Sequence, residues 1–297
     1  MPATIAAMRI RSLIAKSILT PQRGGFLQTG ELPFTHSLSW AAGCGLGKRY
    51  CGAFCYARSL PNWLFARQSD EGWGEALIVK SNAPELLAAQ LARHPARQTL
   101  RIFCSPVTDP YQPIERKLRL TRRCLQVFAQ YEDLDLLLLH TRAAALLDDL
   151  DLLAQIPYVW LGMTIETDRG DLPYGPTSAD IERRFAAIEQ ALARGIRVQI
   201  AVAPCLPHTV DFAARLLSTG AQRIVIDSFG SGDGRGGTRT ASSPFAQKAD
   251  YDWRDERVAL ALYEQLRRRH EGIGWSAAGF AGIPGCSRPC QQRRAPL

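Results

Sequence analysis

Three cysteines, Cys44, Cys51 and Cys55, fall within twelve residues of the stretch 39–58, SWAAGCGLGKRYCGAFCYAR. Thiolates gathered this tightly on a loop of small residues usually hold a metal or an iron–sulfur cluster, because such backbone can wrap a compact inorganic core. Three are one short of the four protein ligands that a structural zinc site or a fully coordinated cluster wants. The spacing therefore admits a catalytic centre with an open coordination position. It also admits a closed site completed by His36, Cys286 or Cys290, or plain core cysteines.

The rest of the composition narrows the setting. At 297 residues and 46% hydrophobic content the chain has enough apolar material for one large domain or two small ones. No run of about eighteen apolar residues occurs, so no membrane span is expected. The N-terminal apolar stretch is broken by Arg9 and Arg11 and shows no cleavage site, so it does not read as a signal peptide. With eight cysteines, three of them clustered, and no export signal, metal or redox chemistry is favoured over a disulfide framework, and a cytoplasmic protein is expected. The net charge of +8 suits nucleic acid or another phosphorylated partner. It suits a merely soluble basic protein equally, since the basic residues are scattered.

Hydrophobic periodicity predicts strands over 35–40, 100–104, 134–140, 158–165, 198–203 and 223–227, with a further short strand over 76–79. Helices are predicted over 84–94, 114–131, 143–155, 179–193, 209–218 and 254–269. Six strands separated by helices, several of them continuously apolar, imply an α/β fold with a parallel sheet covered on its faces. The site is then expected at the carboxyl ends of the strands. No internal repeat or linker divides the chain. The expected organisation is a 1–34 N-terminal extension, a 35–230 core, and a 231–297 stretch of loop, final helix and C-terminal extension.

The loop ending Phe54-Cys55-Tyr56-Ala57-Arg58 resembles the cluster loop of radical S-adenosylmethionine (SAM) enzymes, and in particular the spore photoproduct lyase-like subgroup. Three further segments carry the resemblance: Thr108-Asp109-Pro110-Tyr111-Gln112-Pro113-Ile114-Glu115, Thr164-Ile165-Glu166-Thr167-Asp168, and Ala201-Val202-Ala203-Pro204-Cys205-Leu206-Pro207. The resemblance spans roughly residues 15–227. The resemblance implies a partial (βα)6 barrel, a [4Fe-4S] cluster on Cys44, Cys51 and Cys55, and SAM on the cluster's open iron. It also implies an external electron donor such as ferredoxin or flavodoxin. One departure is plain: the family's C-x3-C-x2-C spacing is C-x6-C-x3-C here.

The same resemblance suggests roles along the strand ends. Ser105, Thr108 and Asp109 lie where the family holds the SAM amino group, although Asp109 also suits a turn before Pro110. Thr164 and Glu166 share one side of their strand by the period of two, where relatives contact the methionine or ribose of SAM; a solvated strand end is the alternative. Arg142 follows a strand where a fixed cation suits the SAM carboxylate, or it caps a helix at the surface. Cys104 is a candidate catalytic hydrogen-atom donor if it points inward, and a small core hydrophobe if it points outward.

Other motifs carry less. The G-x-G-x-x-G match over 232–237 follows a strand, but no helical pattern follows it, so a loop over the active site is the better reading than dinucleotide binding. Asp148, Asp149 and Asp151 read as a solvated helix face. Cys286 and Cys290 are too few to complete a site of their own. The leading expectation is a radical SAM enzyme acting on an unidentified substrate, nucleic acid included. The alternative is a structural zinc module that recognises nucleic acid.

Overall fold

The computed structural model describes residues 8–95 and 98–282. Its strands, in chain order, are β1 (Arg9–Leu13), β2 (Leu19–Pro21), β3 (His36–Leu38), β4 (Ala41–Ala42), β5 (Ala76–Lys80), β6 (Arg101–Cys104), β7 (Leu136–Thr141), β8 (Val159–Thr164), β9 (Arg197–Val202), β10 (Arg223–Ile226) and β11 (Ile273–Trp275). The main sheet runs β11-β10-β9-β8-β7-β6-β3-β2. Every neighbouring pair from β3 to β11 is parallel, and only β2 is antiparallel. This is a mixed α/β fold whose parallel strands are laid down in sequence order, each joined to the next by a helical crossover.

Both faces of the sheet are buried, which is why its strands read as apolar runs. Ile102, Cys104, Leu137, Leu139, Leu161 and Val198 face the helices, where Leu87, Leu125, Phe128, Ile188 and Leu216 cover them. The alternate residues Phe103, Leu136, Leu138, Trp160, Ala201 and Val225 form a second apolar layer on the inner face with Leu27, Phe34 and Phe280. The two edge strands do not pair. The segments that follow them nevertheless meet, with the Phe26 and Phe280 rings 5.7 Å apart, so the sheet curls round its inner face.

Both flanking stretches contribute to sheets: β2 and β11 extend the main one, and β1 joins a small second sheet in the order β1-β5-β4. That small sheet carries the cysteine loop, which leaves from β4 and returns at β5. The helix predicted over 114–131 forms in two pieces, Glu115–Leu118 and Leu120–Ala129, with Arg119 between them at φ 53°. A left-handed residue of this kind costs about 1–2 kcal/mol. What offsets it is the buried Glu115 carboxylate, which accepts the N–H groups of Leu120, Thr121 and Arg122 that the second helix leaves without internal partners. Over 143–155 a 3-10 stretch (Ala144–Asp149) precedes a single α-turn (Leu150–Leu153). Asp149 is 1% exposed and accepts from Arg122 at 2.8 Å, so the acidic run is not a uniformly solvated face. No helix among the described residues is long and apolar enough to cross a membrane.

Candidate active site

The cysteine loop overcomes its wide spacing by folding back on itself. Gly47 N–H donates to the Cys44 carbonyl, Arg49 N–H to Leu46, and Gly52 N–H to Arg49, at 2.9, 2.8 and 2.9 Å. Two 3-10 turns follow, Tyr50–Ala53 carrying Cys51 and Tyr56–Ser59 preceded by Cys55. The fold-back requires backbone contact: a Cβ built on Gly52 would overlap the Gly47 carbonyl oxygen. Cys44, Cys51 and Cys55 thereby line one cavity of about 410 Å³ at the carboxyl ends of the parallel strands.

The thiols are close enough to raise one another's pKa. Burial pushes Cys44 up to about 12 and Cys51 up to about 11, with neighbouring cysteines adding to both; burial also raises Cys55. The Arg142 charge opposes the rise at Cys51 and Cys55. Thiols so placed stay protonated until a cation binds them, and binding then releases their protons. Among the described residues no three His, Cys, Asp or Glu side chains converge on a point for a single ion. Three thiols on the wall of one cavity are a sulfur-rich donor set of the kind that holds zinc or an iron–sulfur cluster.

The motif 108–115 is the frame of this site. Thr108 Oγ1 donates to the Gly43 carbonyl (2.7 Å) and accepts from Gln112 Nε2 (2.9 Å), while Gln112 Oε1 accepts from Gly45 N–H (2.6 Å). Both peptide groups flanking Cys44 are held in this way. Asp109 accepts from Thr141 Oγ1 (2.7 Å), Arg142 N–H (2.9 Å) and Tyr111 N–H (2.8 Å), tying the same turn to the end of β7. The Thr121 hydroxyl, which accepts from Trp40 Nε1, donates to the Pro110 carbonyl and locks the turn to the helix behind it. Thr108 is expected as a ligand contact, and Asp109 either as a ligand contact or as a turn residue before Pro110; the Tyr111 N–H on Asp109 is that turn. Both line the cavity, yet their polar atoms are engaged in holding the wall.

Glu166 takes a different place from the one expected. Its carboxylate is fully buried and is not part of the cavity lining. Arg184 Nη1 donates to Oε2 (2.8 Å), Tyr50 OH donates to Oε1 (2.9 Å), Arg184 Nη2 donates to the Tyr50 oxygen (2.7 Å), and Arg142 Nε lies 3.4 Å from Oε1. Burial acts to raise its pKa, but the Arg184 and Arg142 charges outweigh it and hold Glu166 below the ordinary carboxylate value. Glu166 therefore anchors Arg142, which does line the cavity, and Tyr50, the neighbour of Cys51. Neither Tyr50 nor Arg184 stands out in the sequence, because their partner lies more than a hundred residues from one and on another element from the other.

Opposite the cysteine loop the wall is built from alternate residues of the strands. Phe103 and Ser105 face the cavity from β6, with Ser105 at φ 69°. His140 and Thr164 face it from β7 and β8, joined by a 2.9 Å hydrogen bond between His140 Nε2 and the Thr164 hydroxyl. Burial, aided by the Arg142 charge, lowers His140 to about 3, so the ring is neutral. It fits only because position 162 is glycine, whose Cβ would sit 2.5 Å from His140 Nδ1. The 232–240 segment also lines the cavity; it runs into a short helical turn, Thr238–Ala241, where the sequence pattern gives none, and is organised by Asp233, which accepts N–H groups from Arg235, Gly237 and Thr240. Gly232, Asp233, Gly234, Arg239 and Thr240 all contribute to the lining.

Asp227, just past β10, is a cavity residue that sequence reading passed over. Burial raises its carboxyl to about 7 against the hydrogen bonds of Ser231, Ser276 and Ser228. The folded chain holds this proton up to about pH 7, whereas an unfolded aspartate releases it near pH ~4. Stability therefore falls as pH rises across that interval. Glu115, raised to about 7 chiefly by burial, acts in the same direction. Melting temperature measured from acid to neutral pH is expected to fall less steeply in Asp227→Asn than in the parent chain. An unchanged slope would mean that the carboxyl is already ionised in the fold.

Cys104 is corrected by the structure. It is absent from the cavity lining and packs in the outer core with Ile102, Leu38 and Leu139, because the strand period that turns Phe103 and Ser105 inward turns Cys104 outward. It is a small core hydrophobe, with burial raising its thiol to about 12. Cys104→Ala is expected to leave turnover unchanged and to cost about 1 kcal/mol of stability, the scale of a methyl-sized void. Denaturant melts and product assays on one preparation check both numbers. Cys286 and Cys290 lie outside the described residues.

No protein-family model matches the chain. An uncharacterised protein of Methanocaldococcus jannaschii is 28% identical over 171 residues, which cover 56% of this chain and 60% of that protein. The chain thus spans 60% of the length of this curated relative. Among solved structures, spore photoproduct lyase complexed with dinucleoside spore photoproduct superposes with a TM-score of 0.58 at 15% identity, covering 90% of this chain and 81% of that one. A tyrosine-to-phenylalanine mutant of the lyase gives 0.58 at 13% over the same shares. The fold is that of spore photoproduct lyase. Likeness at this level concerns the path of the backbone.

Proposed function

We propose that this protein is a radical SAM enzyme that carries a [4Fe-4S] cluster on Cys44, Cys51 and Cys55 and acts on an unidentified substrate. The observation that carries the reading is the meeting of all three thiols on one cavity wall, at the carboxyl ends of parallel strands, in a fold shared with spore photoproduct lyase. The curled sheet with sequential parallel strands supports a partial barrel. When bound, the cluster supplies the electron that splits SAM reductively and starts radical chemistry on the substrate.

The chain's own residues have distinct tasks. The three thiols would hold the cluster at the wall of the cavity that would take SAM. Arg142, fixed by Glu166 and by Asp109, presents a cation to the SAM carboxylate. Ser105 and Thr164 give the same cavity hydroxyl groups, with Thr108 and Asp109 shaping the wall between them. Phe54, Phe103, Phe229 and Phe280, together with the 232–240 loop, keep water from the reacting centre. A ferredoxin- or flavodoxin-type electron donor and a cytoplasmic setting follow from the same reading. The lyase structure with a dinucleoside photoproduct makes nucleic acid one candidate substrate, beside peptide and small molecule.

The deciding experiment is anaerobic reconstitution. We expect about four irons per chain, a broad absorbance bleached by dithionite, and release of 5′-deoxyadenosine from SAM. A colourless protein with one tightly held zinc supports a structural metal module instead. A reduced, fully loaded protein that releases no deoxyadenosine rules the enzyme reading out.

A further inference from the structure

Resting on the reading above, we propose that the 108–112 turn is a positioning device that fixes the backbone of Cys44 relative to Arg142, with Gln112 as its central residue. Two neighbouring residues of one turn grip two different walls. Thr108, with Gln112, closes on the peptide groups either side of Cys44, through the Gly43 carbonyl and the Gly45 N–H. Asp109 takes the Thr141 hydroxyl and the Arg142 N–H. The backbones of Cys44 and Arg142 are thus tied to one turn, and not only to the long loop that links Cys44 to the other cysteines.

The chemistry of Gln112 suits this task. Its side chain is wholly buried and uses both halves of its amide, the oxygen accepting from Gly45 and the nitrogen donating to Thr108. A glutamate could accept from Gly45 but could not, when ionised, donate to Thr108. A leucine would fill the space and leave the Gly45 N–H and the Thr108 hydroxyl short of a partner. Glycine at 45 eases the approach, since a Cβ there would stand 3.1 Å from Gln112 Oε1, a tight contact. The arrangement explains how a loop with an extended cysteine spacing still places its first thiol: Cys44 is held from outside the loop, while Cys51 and Cys55 ride on the loop's own turns.

The test reads the clamp without the cluster. Full-length metal-free protein is alkylated with iodoacetamide under reducing conditions, and each cysteine is followed by peptide mass spectrometry. In Gln112→Leu and Thr108→Val the Cys44 rate is expected to rise roughly tenfold relative to Cys205 in the same molecules, the factor that corresponds to losing one buried hydrogen bond. Thr108→Ser, which keeps the hydroxyl, is expected to behave as the parent chain. In anaerobically loaded protein Gln112→Leu should shift the cluster's midpoint potential and electron paramagnetic resonance line shape, and Thr108→Ser should not. An unchanged Cys44 rate overturns the proposal. So does an equal rise at Cys205, because the turn would then be a general brace of the fold. A parent chain that takes up no iron, with Cys44 alone exposed by Gln112→Leu, sinks the enzyme reading and leaves the positioning role standing.

Discussion

Arg184→Met is expected to destabilise the protein by about 3–5 kcal/mol, the cost of leaving a buried charge without its partner. Glu166 has no exposure and receives its two short hydrogen bonds from this side: the charged Arg184 Nη1 at 2.8 Å, and the neutral Tyr50 hydroxyl, whose oxygen Arg184 also holds. Arg142 at 3.4 Å remains, but it approaches from the cavity and carries other duties. Denaturant unfolding of the metal-free chain measures the loss. A change below about 1 kcal/mol, the size typical of solvent-exposed ion pairs, would show that Arg142 and Tyr50 alone compensate Glu166. The double variant Glu166→Gln with Arg184→Met is expected to recover part of the loss, because no uncompensated charge then stays buried. Tyr50 precedes Cys51, so the single variant should also load less iron than the parent.

On the proposed radical SAM reading, Gly52→Ala is expected to lower the rate of SAM cleavage roughly a hundredfold, the effect of displacing a reacting group by about 1 Å. A methyl at this position meets the Gly47 carbonyl, which is backbone and cannot rotate away. Separating residues 47 and 52 moves Cys51 while Cys44 stays on the 108–112 turn, so the thiols lose their common wall. The parent and variant melting temperatures should remain within a few degrees, because the loop lies outside the main sheet. Deoxyadenosine release per loaded iron is the measurement. Equal rates would show that the loop yields without moving Cys51, and that the fold-back is not what brings the thiols together.

The strands of the main sheet were legible because both of their faces are buried, which leaves continuous apolar runs such as Leu136–Thr141 and Val159–Thr164. The strands without a sequence signal, Arg9–Leu13, Leu19–Pro21, Ala41–Ala42 and Ile273–Trp275, are short or half-exposed edge pieces that owe their conformation to a partner strand and not to their own pattern. The break at Arg119 escaped for a similar reason. The helical period continues across it, and only the buried Glu115 carboxylate makes a second helix start there. Within the site, the cysteines and the 108–115 motif were visible as residues, but their division of labour was not. Thr108 and Asp109 look like ligand contacts in a line of letters, and hydrogen bonds to Gly43 and Arg142 make them wall and clamp.

The sequence by itself determined that three thiols gather on one small-residue loop beside a parallel α/β sheet, since clustering and periodicity are local properties of a chain. Only the tertiary structure decided which way each side chain faces and which charges meet. It turned Cys104 into the core, withdrew Glu166 behind Arg142, and brought His140 and Asp227 into the cavity, because a sheet's inner and outer faces are told apart by what packs on them. It also showed how the irregular cysteine spacing is absorbed. The extra residues fold back through Gly47 and Gly52, and a turn sixty residues further along the chain holds Cys44 in place.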